Sequence, residues 1–150
     1  MAETTRHTRA WAADITALVA RVAVGLVFIA HGLQKLGGGV GGTAEMFAAM
    51  GIPLPQVAAV VAIVIEVGAG AALLIGLGLP VAGILLAAQM LGAFVFVHTS
   101  DPLLGGYELV LVLGAAALAS GFNGGTLAVD RFLPWGRSAV RATEPVSRSS

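Results

Sequence analysis

Apolar residues in this chain form four long runs, separated by short stretches rich in glycine, proline or charge. The runs cover residues 15–36, 57–79, 81–98 and 107–122. A helix rises ~1.5 Å per residue, so the first run would reach ~33 Å, enough to cross the hydrocarbon core of a bilayer. The pattern predicts an all-α fold of four transmembrane helices, arranged up-down-up-down because the connections are short.

The first connection is predicted to be irregular and then briefly helical. Residues 37–42 read Gly-Gly-Gly-Val-Gly-Gly, and so many glycines favour an irregular backbone. Residues 43–50 form an amphipathic segment with Thr43 as its predicted N-cap. The sequence leaves open whether this segment lies on the membrane surface.

The second run contains Gly68, Ala72 and Gly76 at every fourth position. This spacing lets helix backbones approach closely in lipid, so we expect these three residues to form a packing ridge. In the first run, five residues fall on one helix face when successive residues are placed ~100° apart around the helix axis. That set is Arg21, Gly25, Phe28, Gly32 and Lys35.

Composition and charge define the class and the orientation. The chain is 57% hydrophobic and only 11% charged, whereas soluble domains average about 25% charged residues, so an integral membrane protein is predicted. Basic residues concentrate in two polar ends, residues 1–14 and 123–150, and the positive-inside rule places both ends in the cytoplasm, beneath the plasma membrane. We expect the C-terminal end to be a partly disordered, arginine-rich tail. The basic residues of the two ends are Arg6, Arg9, Arg131, Arg137, Arg141 and Arg148.

Several function classes are excluded or disfavoured by composition. The chain has no cysteine, which excludes disulfides, thiolate catalysis and iron–sulfur ligation by the chain itself. No basic patch with interleaved aromatic residues is present, so nucleic acid is not an expected partner. His31, His98 and Glu108 are too scattered to predict a metal site. The first run is too long for a signal peptide and contains Arg21, which indicates a retained span.

Three polar residues are predicted to lie near mid-membrane. Counted from the cytoplasmic end of each helix, Arg21 lies ~9 Å, Gln89 ~14 Å and Glu66 ~16 Å deep. Because buried charges need partners, we predict an intramembrane ion pair between Arg21 and Glu66, with Gln89 as polar support. Two interpretations of the pair stay open: a structural clamp that fixes helix register, or a group that handles substrate or protons.

A second polar layer is predicted nearer the outer surface. Its members are His31, Gln34, Lys35, His98 and Glu108. These side chains place imidazole, ammonium and carboxylate groups beside apolar walls, which is chemistry suited to a quinone-like or anionic head group. We predict that this layer binds the ligand and that the Arg21–Glu66 pair supports it. The alternative is that the histidines are structural, His31 capping a neighbouring backbone and His98 lying at the interface.

Several short motifs, taken in order, resemble the DoxX family of small four-helix membrane proteins. The first helix carries Arg21-x3-Gly25-x5-His31-Gly32-x2-Lys35-Leu36. Further similar segments are Gly51-Ile52-Pro53, Glu66 followed by Leu74-Ile75-Gly76-Leu77, Glu108, and residues 121–130. At this last segment the family more usually has Gly-Pro-Gly and Ser-Leu-Asp, where this chain has Asn123-Gly124-Gly125 and Ala128-Val129-Asp130. The resemblance covers about residues 15–133.

The resemblance implies a link to redox chemistry. The family is named for relatives of a membrane subunit of a thiosulfate:quinone oxidoreductase, and its members are linked to sulfur metabolism and oxidative-stress complexes. For this chain it implies a membrane subunit or anchor of a redox complex, with a soluble oxidoreductase subunit as partner and quinone as the candidate cofactor. Without cysteine, electron transfer would need that quinone or the partner subunit.

Two other functions stay open beside the redox subunit. One is a small proton-coupled transporter centred on Glu66, acting as a homodimer, because a single mid-membrane acid suits that chemistry. The other is a non-catalytic scaffold whose ion pairs only hold helices together. The sequence does not decide whether the chain is itself an enzyme.

Overall fold

The computed structural model describes residues 2–123 and 127–132, and this part of the chain is helical, without a strand. Its helices are α1 (Ala2–Gly37), α2 (Gly39–Ala49), α3 (Pro55–Ile75), α4 (Leu79–His98) and α5 (Glu108–Phe122), followed by a 3₁₀ turn, Val129–Phe132. Four segments are long and apolar enough to cross a membrane: Ala10–Gly37, α3, α4 and Leu103–Phe122. The predicted all-α, four-span bundle is confirmed.

The two ends of the first predicted span differ from expectation. α1 begins at Ala2 and therefore includes the predicted N-terminal tail, and α2 begins at Gly39, inside the stretch predicted to be irregular. Only the corner at Gly38 and Gly39 interrupts the helix, where Gly39 adopts a φ of 79°. Helical hydrogen bonding continues into the corner, because the Gly38 N–H donates to Gln34 O at 3.2 Å. The predicted C-terminal tail lies outside the described residues except for 123 and 127–132.

α1 and α3 pack most closely where glycine removes a side chain. A Cβ atom at Gly25 would lie 2.8 Å from Gly70 O, and one at Gly32 would lie 3.0 Å from the Glu66 Cβ and 3.1 Å from the Val67 nitrogen. Contacts between small residues allow this approach in lipid, where the hydrophobic effect does not drive helices together. The two contacts fix the antiparallel register of α1 against α3.

The predicted ridge of Gly68, Ala72 and Gly76 is not one packing surface, and the prediction was wrong for Gly68. Ala72 packs against the core, and a Cβ atom on the buried Gly76 would lie 2.7 Å from the Ala128 Cα. Gly68 is exposed, and a Cβ atom there would meet nothing within 4 Å. Gly76 ends α3 with a φ of 80°. The reason is a π-helical turn within α3, Ile65–Ala69. A π turn adds one residue and rotates the following helix face, so regular four-residue spacing no longer marks one side.

α4 and α5 form a second close pair at Gly83 and Gly121, where a Cβ atom on Gly121 would lie 3.0 Å from the Gly83 Cα. The hydrophobic core lies between the two helix pairs and consists of aliphatic side chains around one phenylalanine. Its buried members are Val24, Phe28, Ala69, Leu73, Leu79, Ala82, Leu86, Ala117 and Ala128. This core holds the four spans together as one bundle.

Residues 127–132, here called the exit segment, close the end of the bundle where α3 turns into α4. Arg21 is 1% exposed, and its guanidinium donates to Leu127 O at 2.7 Å. The Asp130 carboxylate accepts hydrogen bonds from the N–H groups of Gly78 at 2.8 Å and Leu79 at 2.9 Å. These amides begin α4 and have no partner within that helix, so Asp130 acts as its cap. The exit segment therefore returns to the end of the bundle that holds Arg21.

Candidate functional site

Glu66, near the middle of α3, is the centre of the candidate site and is only 2% exposed. The Lys35 Nζ lies 2.6 Å from both of its carboxylate oxygens, and the Gln89 Nε2 donates to Oε1 at 2.7 Å. Three helices, α1, α3 and α4, thus each contribute one polar side chain. A buried carboxylate is tolerated when a close cation and further hydrogen bonds compensate its lost hydration.

Local backbone features bring these three side chains together. Glu66 lies in the π-helical turn of α3, a feature frequently found at functional sites. Gly32 leaves room for Glu66 beside α1, and Lys35 follows one turn later. Because helical side chains point toward the N-terminus, the stem of Lys35 extends back toward Gly32. The buried Thr43 of α2 donates to Lys35 O at 3.1 Å and fixes the corner beside the ion pair.

A cavity of about 580 Å³ adjoins this cluster. Its polar lining consists of His31, Lys35, Glu66, Gln89 and His98, and apolar side chains such as Phe28, Phe47 and Phe96 form the remaining walls. The Oε1 atom of Gln89 is buried and accepts no hydrogen bond within the described part of the chain. An apolar cavity with a few convergent polar groups is the usual form of a small-molecule site.

The predicted Arg21–Glu66 ion pair is wrong, because each side chain has other partners. Glu66 pairs with Lys35, whereas Arg21 bonds the exit segment beside Gly76. Arg21 and Gly32, which faces Glu66, are eleven residues apart on α1, or ~16 Å. The predicted depths were counted from residue 15 in the first span and from residue 77 in the second, as if these two residues lay at the same depth. In the structure, the residue of α1 that lies beside Gly76 is Arg21. The count on α1 therefore begins about one and a half turns too early.

The five residues of the predicted outer layer separate into two groups. His31, Lys35 and His98 line the cavity, and Glu66 and Gln89 of the predicted inner layer join them there. Gln34 is exposed and Glu108 is half-buried at the start of α5, and both lie outside the cavity lining. Ligand binding by the predicted outer layer stays a prediction. The residues that line the cavity differ from the five that were predicted to form this layer.

His98 lies at the far end of the cavity from Glu66. It follows Gln89 by nine residues, or ~14 Å along α4. Its Nδ1 lies 2.7 Å from the Asp101 Oδ2, an exposed carboxylate that the sequence did not place in the site. His98 therefore belongs to the mouth of the cavity rather than to the buried cluster.

The aromatic walls were largely missed from the sequence. Phe28 shares the helical stripe of Gly32 and Lys35, which is a signal for its position. Phe47 and Phe96 carry no comparable signal, because their helices pack against the site from separate parts of the chain. Among the described residues, no cluster of three histidines or carboxylates has a metal-binding arrangement.

The fold and the cavity define a four-helix integral membrane protein with a buried, ion-paired carboxylate. Residues 16–99 match the model of the DoxX family, and this range contains all five polar residues of the cavity. The chain belongs to the DoxX family.

Two relatives match over most of their length. The chain is 32% identical over 121 residues to the Bacillus subtilis (strain 168) protein named "Putative oxidoreductase CatD", covering 80% of this chain and 88% of the relative. It is 31% identical over 129 residues to the Escherichia coli (strain K12) protein named "Inner membrane protein YphA", covering 80% and 91%. No solved structure matches the chain.

Proposed function

We propose that this protein is a membrane subunit or anchor of a redox system and that its cavity binds the head group of a quinone. The observation that carries this proposal is the Lys35–Glu66–Gln89 cluster beside a cavity whose remaining walls are apolar apart from His31 and His98. A quinone head group is a flat apolar ring with two oxygen atoms, so it needs a few hydrogen-bonding groups among apolar walls. The name of the Bacillus subtilis relative, an oxidoreductase, supports the class of function.

The residues of the cluster fit both the oxidised and the reduced head group. The Lys35 ammonium has three N–H donors, of which two suffice for Glu66, so the third is available to a quinone oxygen. The buried Oε1 of Gln89 is an acceptor for a quinol hydroxyl. A bound quinone would supply the electron-transfer chemistry that a chain without cysteine lacks.

We expect Gln89→Leu to weaken quinone binding about tenfold or more, because the change removes both the donor to Glu66 and the buried acceptor. Binding is measured by calorimetry or ultraviolet titration of the protein in phosphatidylcholine nanodiscs with a dimethoxy-methyl-benzoquinone. Gln34→Leu is the matched control, since Gln34 is exposed and lies outside the cavity lining. Equal binding by both variants, or no saturable binding by the unmodified protein, would reject the quinone site.

A proton-coupled transporter is the second candidate, favoured by the position of Glu66. This acid is eleven residues from the start of α3 and nine from its end, so ~14–16 Å of helix lies on either side. Buried mid-membrane acids are common in proton relays. If the quinone does not bind, and proteoliposomes show proton-coupled uptake that Glu66→Gln abolishes, this function replaces the redox one.

We also propose that both chain ends are cytoplasmic in the plasma membrane. Four spans return the exit segment to the end of the bundle that holds Arg21, and the positive-inside rule selects the side. The His98 end of the cavity would then face outward. A soluble oxidoreductase subunit would bind at the cytoplasmic or the outer face of the bundle. A homodimer of this chain is compatible with both of these binding modes.

The orientation can be measured because the chain has no native cysteine. Ser150→Cys should react in intact cells with a membrane-permeant maleimide only, whereas Thr99→Cys, in the exposed connection between α4 and α5, should also react with an impermeant one. The opposite labelling pattern would place both ends outside.

A further inference from the structure

A second, almost wholly apolar groove runs along the contact between α4 and α5. Its volume is about 380 Å³, and no charged residue lines it. On one side the lining extends from Tyr107, directly before α5, to Leu118 within α5, which corresponds to ~16 Å of helix. The rings of Phe94 and Tyr107 lie edge to face, with centroids 5.1 Å apart, at the outer end of this groove. The groove therefore continues from that end toward Leu118.

The groove and the head-group cavity share part of their walls. Met90 and Val110 line both. Met90 directly follows Gln89 on α4 and lies in the middle of the groove lining on that helix, which extends from Ala87 to Phe94. Gly114 of α5 faces Met90, and a Cβ atom there would lie 3.1 Å from the Met90 Cβ. The boundary between the two spaces is thus an unbranched, flexible side chain beside a residue with no side chain.

We propose that the α4–α5 groove holds the hydrocarbon tail of a quinone whose head group lies at the Lys35–Glu66–Gln89 cluster. The natural ligand is then a long-tailed, membrane-resident isoprenoid quinone rather than a short, water-soluble one. This proposal rests on the proposed head-group site. It follows from two adjoining spaces that share Met90 and Val110 as walls, of which one contains the polar cluster and the other is almost wholly apolar. This arrangement matches a molecule that is polar at one end only.

A transmembrane helix of a second copy does not match this shape as well. A helix with side chains is about 10–12 Å across, so it could cover the groove from outside but could not pass Met90 into the cavity. A phospholipid acyl chain could enter the groove from the end at Phe94 and Tyr107, with its head group at the membrane interface, but it would leave the polar cluster without a ligand. These two occupants are separate outcomes of the test.

The test fills the groove without altering the cavity. Ala115 is exposed in the groove, and Ala115→Phe should occupy it. Val112→Phe adds the same ring to α5 at an exposed position outside both linings and is the matched control. Binding to the full chain in phosphatidylcholine nanodiscs is measured with two probes that have one head group, a tailless dimethoxy-methyl-benzoquinone and its decyl derivative.

We expect Ala115→Phe to weaken binding of the decyl quinone about tenfold, because its tail loses buried apolar area, and to leave the tailless quinone unchanged. Val112→Phe should change neither affinity. Ala115→Val adds a smaller side chain to the groove and should cause an intermediate loss of affinity for the decyl quinone. This variant replaces Ala115→Phe in the test if the phenylalanine variant is unstable.

Other outcomes overturn the tail site without touching the head-group site. If the decyl and tailless quinones respond equally to Ala115→Phe, the groove does not hold the tail. If the variant instead changes the oligomeric mass and leaves both affinities unaltered, the groove is an interface between copies. If binding of the decyl quinone changes only when phosphatidylcholine is replaced by shorter-chain lipid, a phospholipid occupies the groove. Failure of both quinones to bind the unmodified protein rejects the proposed function itself.

Discussion

Replacing Lys35 with methionine should destabilise the membrane-embedded protein by about 3–5 kcal/mol, the usual cost of leaving a buried charge without its partner. Glu66 is 2% exposed and receives both of its shortest contacts from the Lys35 ammonium. Gln89 then provides the one remaining hydrogen bond among the described contacts of Glu66. Reversible unfolding in mixed micelles, followed by circular dichroism, measures the loss.

Double variants that also replace Glu66 test whether Lys35 or Arg21 is its partner. Glu66→Gln added to Lys35→Met removes the orphaned carboxylate, so the double variant should recover much of the lost stability. Arg21→Gln combined with Glu66→Gln should instead give the sum of the two single effects, because Arg21 bonds Leu127 rather than Glu66. Additivity in the Lys35 cycle together with coupling in the Arg21 cycle would contradict the ion pair described here.

Replacing Gly32 with alanine should cost about 1–3 kcal/mol and also weaken quinone binding. The new methyl group would lie 2.6 Å from a Val67 methyl carbon, 3.0 Å from the Glu66 Cβ and 3.1 Å from the Val67 nitrogen. The valine side chain can rotate, but the backbone nitrogen cannot move without separating α1 from α3. That separation would lengthen the Lys35–Glu66 contact, so stability and ligand affinity should fall together.

Gly68→Ala is the matched control, since Gly68 is two residues from Glu66 on the same helix but faces open space. It should leave both stability and affinity within error, or stabilise slightly through a reduced entropy of the unfolded chain. Comparable losses from Gly68→Ala and Gly32→Ala would show that glycine in this region matters through flexibility and not through helix contact.

The sequence determined the membrane class, the number of spans and the types of residue in the site. Four apolar runs can satisfy their backbone polar groups in lipid only as helices, so their length and hydropathy were sufficient for the fold. Charged and strongly polar side chains are rare within membrane spans, so Lys35, Glu66 and Gln89 stand out from the sequence alone. The helical stripe from Arg21 to Lys35 also placed Gly25 and Gly32 on the face that contacts α3.

Only the tertiary structure decided which polar residues meet. Partner choice depends on the axial offset between helices, and an error of about five residues is enough to exchange Lys35 for Arg21 as the partner of Glu66. That offset is set by the contact of Gly25 with Gly70, by the π turn at Glu66, and by Arg21 binding the exit segment. Each of these joins residues far apart in the chain or breaks regular helical spacing. The periodicity of a single helix contains neither kind of information, so the ion pair and its cavity could be found only from the packed bundle.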